Sequence, residues 1–437
     1  MWELLPPRVR LTGSPCLSDE SRRQLIEDYE QFSNGLPRQI EDYVLNAYGL
    51  DLRSEYAGLR IKNPFGKASG QLSLTPHQVE QDATAGLGFV VLKTVIAQDS
   101  NGCQSMWEWA IPETRMQVEP IRGRLGQEGW TVSWKGRGWF DTLDAYEILF
   151  ERALQVGVAC GMLVVPSAKY HLPGVDECGW KDEEYQVTTL RLLQTWRKSC
   201  HDQPMPLEKD FSPTLAGSER ASQQGKIKEW LRAVPGLIRK SAPGKVHVGL
   251  KIFNTLFDDD FQLQMLDTVH EPAAEETRAN FLVYGNRLFD PTREFEGKPG
   301  VAYGGPDLSD RNLSVLERFL STRTRDERNA LLPLSASGNV NSGRIAAEYL
   351  LRGASTFQMH TIFQLPASAF SMKTGNRSEK AIHHLLFHPL EGLVAWILHL
   401  RNKFEWQQAM NIKEMARWCQ IHWDDVTREL GMVTEKV

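Results

Sequence analysis

A series of short apolar runs, separated by helical patterns, constrains this chain more than any other feature. Gly88–Val95 (GFVVLKTV) is the clearest, and similar runs recur at Met162–Pro166, Val246–Phe253, Phe281–Tyr284, Leu331–Ala336 and Thr356–Ile362. Continuous apolar runs of this length are the signature of strands buried on both faces. Pro64–Ser69 reads as a strand ahead of them, and Thr75-Pro76 as the cap and first position of the helix that follows. Helical stretches lie between most of the others, at Glu183–Lys198, Ile227–Arg239, Asp259–Val269, Leu308–Leu320 and Gly343–Leu351. Strand–helix alternation with buried strands implies a parallel α/β sheet. One further strand near Thr131–Trp134 completes eight, which predicts a closed (β/α)8 TIM barrel with its active site at the C-terminal strand ends.

Residues 1–55 read as an N-terminal helical extension. Within it, Ser18-Asp19-Glu20 offers a helix start, and Leu25, Ile26, Tyr29 and Phe32 share one face. Residues 56–437 then hold the barrel and C-terminal helices. The stretch from Pro166 to Val246 is too long for one simple helix, so an insertion over the barrel mouth is expected around residues 175–240.

Composition narrows the function classes. Lys and Arg number 50 against 55 Asp and Glu, a formal charge of −5, and 41% of residues are hydrophobic. Such a chain folds. It has no global field for nucleic acid and no dense basic stripe, so a nucleic-acid partner is not expected. No apolar run approaches the roughly 20 residues that span a bilayer, and no secretory h-region is visible near the N-terminus. The six cysteines form no CxxC and are irregularly spaced. That argues against a zinc ribbon, an iron–sulfur cluster or any other metal site, and for a cytoplasmic chain with free thiols.

The chemistry collects at the strand ends. Lys67-Ala68-Ser69-Gly70 follows the first strand, and its small residues let a flat ligand approach the backbone. Lys93-Thr94 ends the second strand and Lys251 the fifth. A lysine inside an apolar strand is costly unless it meets an anion or polar atoms, and two at one mouth point to an anionic or polyoxygenated cofactor. Ser335-Ala336-Ser337-Gly338-Asn339-Val340 leads into a helix near Gly343. Arg352-Gly353-Ala354-Ser355 precedes a last strand ending Gln358-Met359-His360-Thr361. With Gly304-Gly305 after the sixth strand, this order suits a phosphate bound at the loops after strands seven and eight.

Asn63-Pro64-Phe65-Gly66-Lys67-Ala68-Ser69-Gly70 followed by Gly86–Thr94 resembles the opening of the dihydroorotate dehydrogenase family. So do Gly304-Gly305, Ser337-Gly338 and Gly353-Ala354-Ser355 with Gln358 and Thr361, in the same order. The likeness is strong at 60–95 and 331–362 and patchy between, and the tail around Trp396–Trp418 resembles the family's closing helix. The resemblance implies an FMN-binding barrel. Ala68, Ser69 and Gly70 would line the flavin ring, and Lys93, beside Thr94, would reach both flavin and substrate. Lys251 would sit at the flavin N1/C2 edge, where a cation stabilises the negative charge of reduction. Gly305, Ser337, Gly338, Asn339, Gln358, His360 and Thr361 would hold the ribityl phosphate.

The substrate half departs from the family. There the fourth strand ends in Asn-x-Ser-Cys-Pro-Asn, with Cys or Ser as base; here Pro166–Gly174 is the matching stretch when aligned through Pro173-Gly174. Lys169 then stands at the base position, with Pro166 and His171 for the asparagines. The sixth-strand Asn-Ser/Thr pair is replaced by Leu282-Val283, and the loop after strand three is read as Gly136-Arg137-Gly138-Trp139. A pocket that reads a pyrimidine through amides would not survive these changes. The expected function is an FMN-dependent oxidoreductase moving hydride between flavin N5 and a small organic molecule other than dihydroorotate. Lys169 is the candidate acid/base, with His171 and Tyr170 as second choices, or else Lys169 binds a substrate carboxylate. A flavin-free phosphate-binding isomerase or lyase, and a non-catalytic flavin-binding relative, are the alternatives. A homodimer is the expected assembly. Five tryptophans at Trp107, Trp109, Trp130, Trp134 and Trp139 form either a local aromatic core or a pocket wall.

Overall fold

A computed structural model describes residues 6–431 apart from 111, 113, 114, 136, 137, 212–222, 255–257, 296 and 408. Eight parallel strands form the barrel: Phe65–Lys67, Phe89–Val91, Leu163–Val165 continuing as Ser167–Lys169, Met205–Asp210, Val246–Ile252, Phe281–Tyr284, Leu334–Ser337 and Ala354–Met359. Closure runs through the third strand. Its first half pairs with the second strand and its second half with the fourth. Pro166, which has no N–H, marks the joint, and its carbonyl accepts from Glu208 N at 3.1 Å.

Period-two alternation sorts the side chains. Phe89, Val91, Val165, Phe281 and Val283 pack inside the barrel with Tyr56, Ala57 and Ile61. Those last three come from the hairpin Ser54–Tyr56/Leu59–Ile61, which stops the N-terminal end. Val90, Val164, Leu207, Leu250, Leu282 and Ala336 pack outward with the helices. Glycine sets the interior layer at Gly66 and Gly249. A Cβ there would lie 2.3 Å from Phe89 Cζ and 2.1 Å from Phe281 Cζ, so each missing side chain is space filled by a neighbouring ring.

Two expectations from sequence are corrected. Thr131–Trp134 is not a barrel strand; it lies in an antiparallel hairpin, Arg115–Arg122 with Glu128–Lys135. The missing barrel strand is Met205–Asp210, inside the segment 175–240 expected as an insertion. That segment instead supplies an ordinary helix, strand and helix: Asp182–Cys200, Met205–Asp210 and Gln224–Arg239. The strand escaped notice because Glu208-Lys209-Asp210 breaks the apolar pattern, although Glu208 and Lys209 are fully buried. The chain that does lie over the mouth is the 115–135 hairpin together with a second one, Leu288–Phe295 with Lys298–Tyr303.

The N-terminal helices Asp19–Gln31 and Ile40–Tyr48 pack on the closing helices Arg377–Phe387 and Leu393–Phe404. The buried Asp28 carboxylate joins the first pair, accepting from Tyr43 OH at 2.6 Å and Tyr48 OH at 2.5 Å. Among the described residues, no helix is long and apolar enough to cross a membrane, and no group of His, Cys, Asp and Glu is arranged to hold a metal ion.

Candidate active site

Alternation carries the inner face of the strands up to the mouth, where it turns from apolar to charged. Lys93 stands just past strand two, Ser167 and Lys169 on strand three, Glu208 and Asp210 on strand four, and Lys251 on strand five. All three lysines are buried. Lys251 Nζ donates to Gln358 Oε1 at 3.2 Å and lies 3.8 Å from Glu208 Oε2. Glu208 also accepts from Tyr56 OH and from Gln358 Nε2, whose amide is 2.9 Å from Tyr56 OH. Burial pushes the Glu208 carboxyl above its usual range, against the opposing pull of Lys251. Lys251 is thus fixed from below by a polar cluster inside the barrel.

The other two lysines differ in their surroundings. Burial brings Lys93 down to about 8; Lys251 adds to the shift and Asp210 opposes it. Asp210 pairs in register with Lys251 across strands four and five. Lys169 Nζ lies 4.4 Å from the centre of the Trp109 ring, a contact that favours the charged ammonium. Nearby, a run of hydroxyls crosses three strand ends. Ser69 Oγ and Thr94 Oγ1 are 2.9 Å apart, as are Thr94 Oγ1 and Ser167 Oγ.

Beside the lysines a cleft of about 630 Å³, counted to its open mouth, runs over strands six, seven, eight and one. Ala68 forms part of its floor, and Ser337, Gly338, Asn339, His360 and Thr361 form one wall. Gly338 is held from behind. Asn312 Nδ2 donates to the carbonyls of Gly285 at 2.9 Å and Ser337 at 3.0 Å, and Tyr349 OH donates to Gly338 O at 2.9 Å. Asn339 Nδ2 reaches Ser309 Oγ at 2.9 Å. Arg287 also lines the cleft, buried, with its guanidinium donating to Val132 O. Burial lowers it to about 9. His360 packs against Gly70, where a Cβ would lie 2.5 Å from Nε2. Burial first, then Arg287, Lys67, Lys93 and Lys251, bring its imidazole to about 3, so it is neutral.

The structure brings most of the residues singled out from sequence to this mouth, with several departures. Lys67 faces outward, paired with Asp82 on the helix Pro76–Thr84. Tyr170 also faces outward, stacked on Tyr185 at 4.5 Å and bonded to Thr189 Oγ1 at 2.8 Å. Gln358 lines the cleft, but its amide is engaged with Tyr56, Glu208 and Lys251. Gly305 caps the helix Pro306–Ser321 at a φ of 95°, with no room for a side chain against Ile121. Leu282 faces the helices, so only Val283 of that pair faces the interior. The strand count also moves the family's base position. Lys169 ends strand three, and strand four ends at Asp210, so the chain matching the family's fourth-strand loop begins at Phe211; 212–222 lie outside the described residues.

Arg287, Glu208, Asp210 and Asn312 were missed in the sequence. Asn312 sits mid-helix, where nothing marks a loop-bracing role. Arg287 follows Gly285-Asn286 at the exit of the sixth strand, and a cation at that strand end was the available signal. Of the tryptophans, Trp130 lines the cleft, Trp109 covers Lys169, Trp139 packs on Tyr146 and Trp107 is 71% exposed. The Trp134 side chain and residues Gly136 and Arg137 lie outside what is described.

No protein-family model matches the sequence, and no curated protein matches it. Among solved structures, DHODH from Eimeria tenella in complex with ferulenol aligns with a TM-score of 0.50 and 14% identity, over 80% of this chain and 88% of that one. The ligand-free DHODH of the same organism aligns with a TM-score of 0.49 and 15% identity, over 84% and 94%. The chain therefore has a DHODH-like (β/α)8 barrel fold.

Proposed function

We propose that the chain is an FMN-dependent oxidoreductase acting on a small organic anion other than dihydroorotate. The observation that supports this reading is a cleft with a braced glycine loop at Gly338-Asn339, whose lining residue Gln358 accepts from the buried Lys251 at 3.2 Å. The residues present fit FMN. Gly338, Asn339, Thr361 and Arg287 suit its phosphate, and Ala68 and Ser69 suit the ring floor beside a neutral His360. Lys251, held in place by Gln358 and Glu208, suits the ring edge where reduction adds negative charge. When bound, FMN supplies hydride exchange at N5. The chain's own residues orient the substrate, exclude water and handle the proton.

Lys169 and Lys93 then present fixed cations to the substrate. The indole against Lys169 favours its charged form, and Lys93, although burial brings it down to about 8, is still mostly protonated near neutral pH, so both suit anion binding there. A base would have to be neutral. Leu282-Val283 stands where the family carries its sixth-strand Asn-Ser/Thr pair, and the loss of those hydrogen-bonding groups disfavours dihydroorotate.

The test is the supernatant of heat-treated protein. It should contain one FMN per chain, or the apoprotein should bind added FMN. Failure of both would favour a flavin-free phosphate-binding enzyme. Dihydroorotate, mixed anaerobically with the holoprotein, should leave the oxidised-flavin absorbance unchanged. Rapid bleaching would overturn the substrate argument.

The pH dependence follows from Lys93. Its folded value of about 8 lies below the ordinary 10.5, so from about 8 to 10.5 the unfolded chain binds the extra proton. Its contribution to stability therefore rises with pH across that window. Affinity for anionic FMN should move the other way, falling as pH rises through about 8. In Lys93→Met the fall should disappear, as read by fluorescence titration of the apoprotein.

A further inference from the structure

We infer that Glu208, acting through Lys251, takes up one proton each time the flavin is reduced; the inference rests on the flavin reading above. Tyr170 and His171, the second choices from sequence for handling a proton, are engaged beside the helix Asp182–Cys200. Tyr170 stacks on Tyr185 of that helix. His171 lies 3.2 Å from Glu177, and its carbonyl accepts from Tyr185 OH at 2.7 Å. Glu208 is fully buried inside the barrel instead, and two contacts tie it to the cleft. Gln358, which lines the cleft, donates from Nε2 to Glu208 Oε1 and accepts at its own Oε1 from Lys251 Nζ at 3.2 Å. Lys251 in turn lies within electrostatic reach of His360 on the cleft wall.

The two oxygens of this carboxyl are treated differently. Tyr56 OH and Gln358 Nε2 both donate to Oε1, whereas no hydrogen bond reaches the buried Oε2 among the described residues. Lys251 Nζ, 3.8 Å from Oε2, is the cation that offsets the charge. Burial raises the carboxyl and Asp210 adds to the effect, while Lys251, then Tyr56 and Gln358, oppose it. The phenols of Tyr56 and Tyr146 also face Glu208. Burial raises both, and the Glu208 charge adds to each shift, so neither gives up its proton in its place. A run of hydroxyls offers a way in from the mouth. It starts at the half-buried Ser69, passes Thr94 and ends at Ser167, the register partner of Glu208 across strands three and four.

A buried carboxylate with one offsetting cation responds to whatever else that cation must serve. Lys251 suits the ring edge where reduction adds negative charge, so after reduction one ammonium faces two anions. A second anion nearby favours the protonated form of a carboxyl. Glu208 then binds one proton from water, and an O–H bond forms at Oε2. The two electrons arrive as hydride from the small organic anion. When the flavin is reoxidised, Lys251 again serves Glu208 alone, the O–H bond breaks and the proton returns to water.

The test needs no substrate, because an electrode supplies the electrons. The flavin midpoint potential of the holoprotein is measured by spectroelectrochemistry between about pH 5 and 9, for wild type and Glu208→Gln. Where Glu208 is ionised before reduction and protonated after it, the wild-type potential should fall more steeply with pH than that of the variant. The difference should be about 30 mV per pH unit, the value for one proton per two electrons. The reduced-minus-oxidised infrared spectrum of wild type should gain a carboxylic-acid C=O band that shifts in D2O. The band should be absent in Glu208→Gln. It should also be absent in Lys251→Met, where the carboxyl is protonated before reduction. FMN content and circular dichroism establish that each variant is folded and loaded. If Glu208→Gln does not fold, the wild-type and Lys251→Met spectra decide by themselves. Equal slopes, a wild-type spectrum without the band, or a band that survives either substitution overturns the assignment while the flavin reading stands. A protein that binds no FMN overturns the flavin reading itself.

Discussion

Replacing Glu208 with leucine is expected to lower the unfolding free energy by about 3–5 kcal/mol, the cost typical of removing one partner from a buried charged cluster. The carboxylate is fully buried inside the barrel, where it takes hydrogen bonds from Tyr56 and Gln358 and lies 3.8 Å from Lys251 Nζ. Its loss leaves an ammonium and a phenol in an apolar interior with one acceptor fewer. The double variant Glu208→Leu/Lys251→Met should be less destabilised than the sum of the two single changes, because it removes the stranded charge along with its partner. Urea denaturation of the four proteins measures the coupling. Additive losses would mean that Glu208 supports the barrel through Tyr56 and Gln358 alone.

Gly338→Val should reduce FMN affinity by about 10-fold or more while leaving most of the barrel folded. Gly338 has a φ of 108°, and a Cβ would lie 2.6 Å from Gly285 O and 2.7 Å from Asn312 Nδ2. Both neighbours are parts of the brace behind the loop, so a side chain displaces the loop or the brace. Holding a branched residue at such a φ costs on the order of 1–3 kcal/mol, and each 1.4 kcal/mol corresponds to tenfold in affinity. Gly161→Ala is the control. It too has a positive φ, of 62°, but nothing lies within 4 Å of its Cβ position. It should cost some stability and leave FMN binding unchanged. Equal FMN loss in the two variants would place the effect in general destabilisation and remove Gly338 from the site.

The barrel class was legible in the sequence because parallel strands buried on both faces must be apolar along their length, and seven of the eight are, or nearly so. The glycine loop at Gly338 was legible because a residue with a φ of 108° whose Cβ position meets backbone has few substitutes. Lys93 and Lys251 stood out as ammonium groups inside apolar runs. Met205–Asp210 was hidden for the converse reason. Its inward residues are charged, and only the closed barrel, which sets Glu208 against Tyr56, Gln358 and Lys251, makes that tolerable in a strand. From there the error spread to the strand count, and with it to the place of Lys169 in the family pattern.

What the sequence by itself determined was which stretches become strand or helix and which polar residues end them, since both follow from local periodicity and backbone freedom. Which way those residues face was settled only by tertiary structure. Lys67, Tyr170 and Leu282 turn to the helices while Lys93, Lys169 and Lys251 turn to the mouth, because a side chain's direction depends on strand register, and register is set by partners far away in the chain. The same long-range closure seats Arg287 in the cleft, Trp109 against Lys169 and Asn312 behind Gly338, contacts among residues tens to hundreds of positions apart that no local pattern encodes.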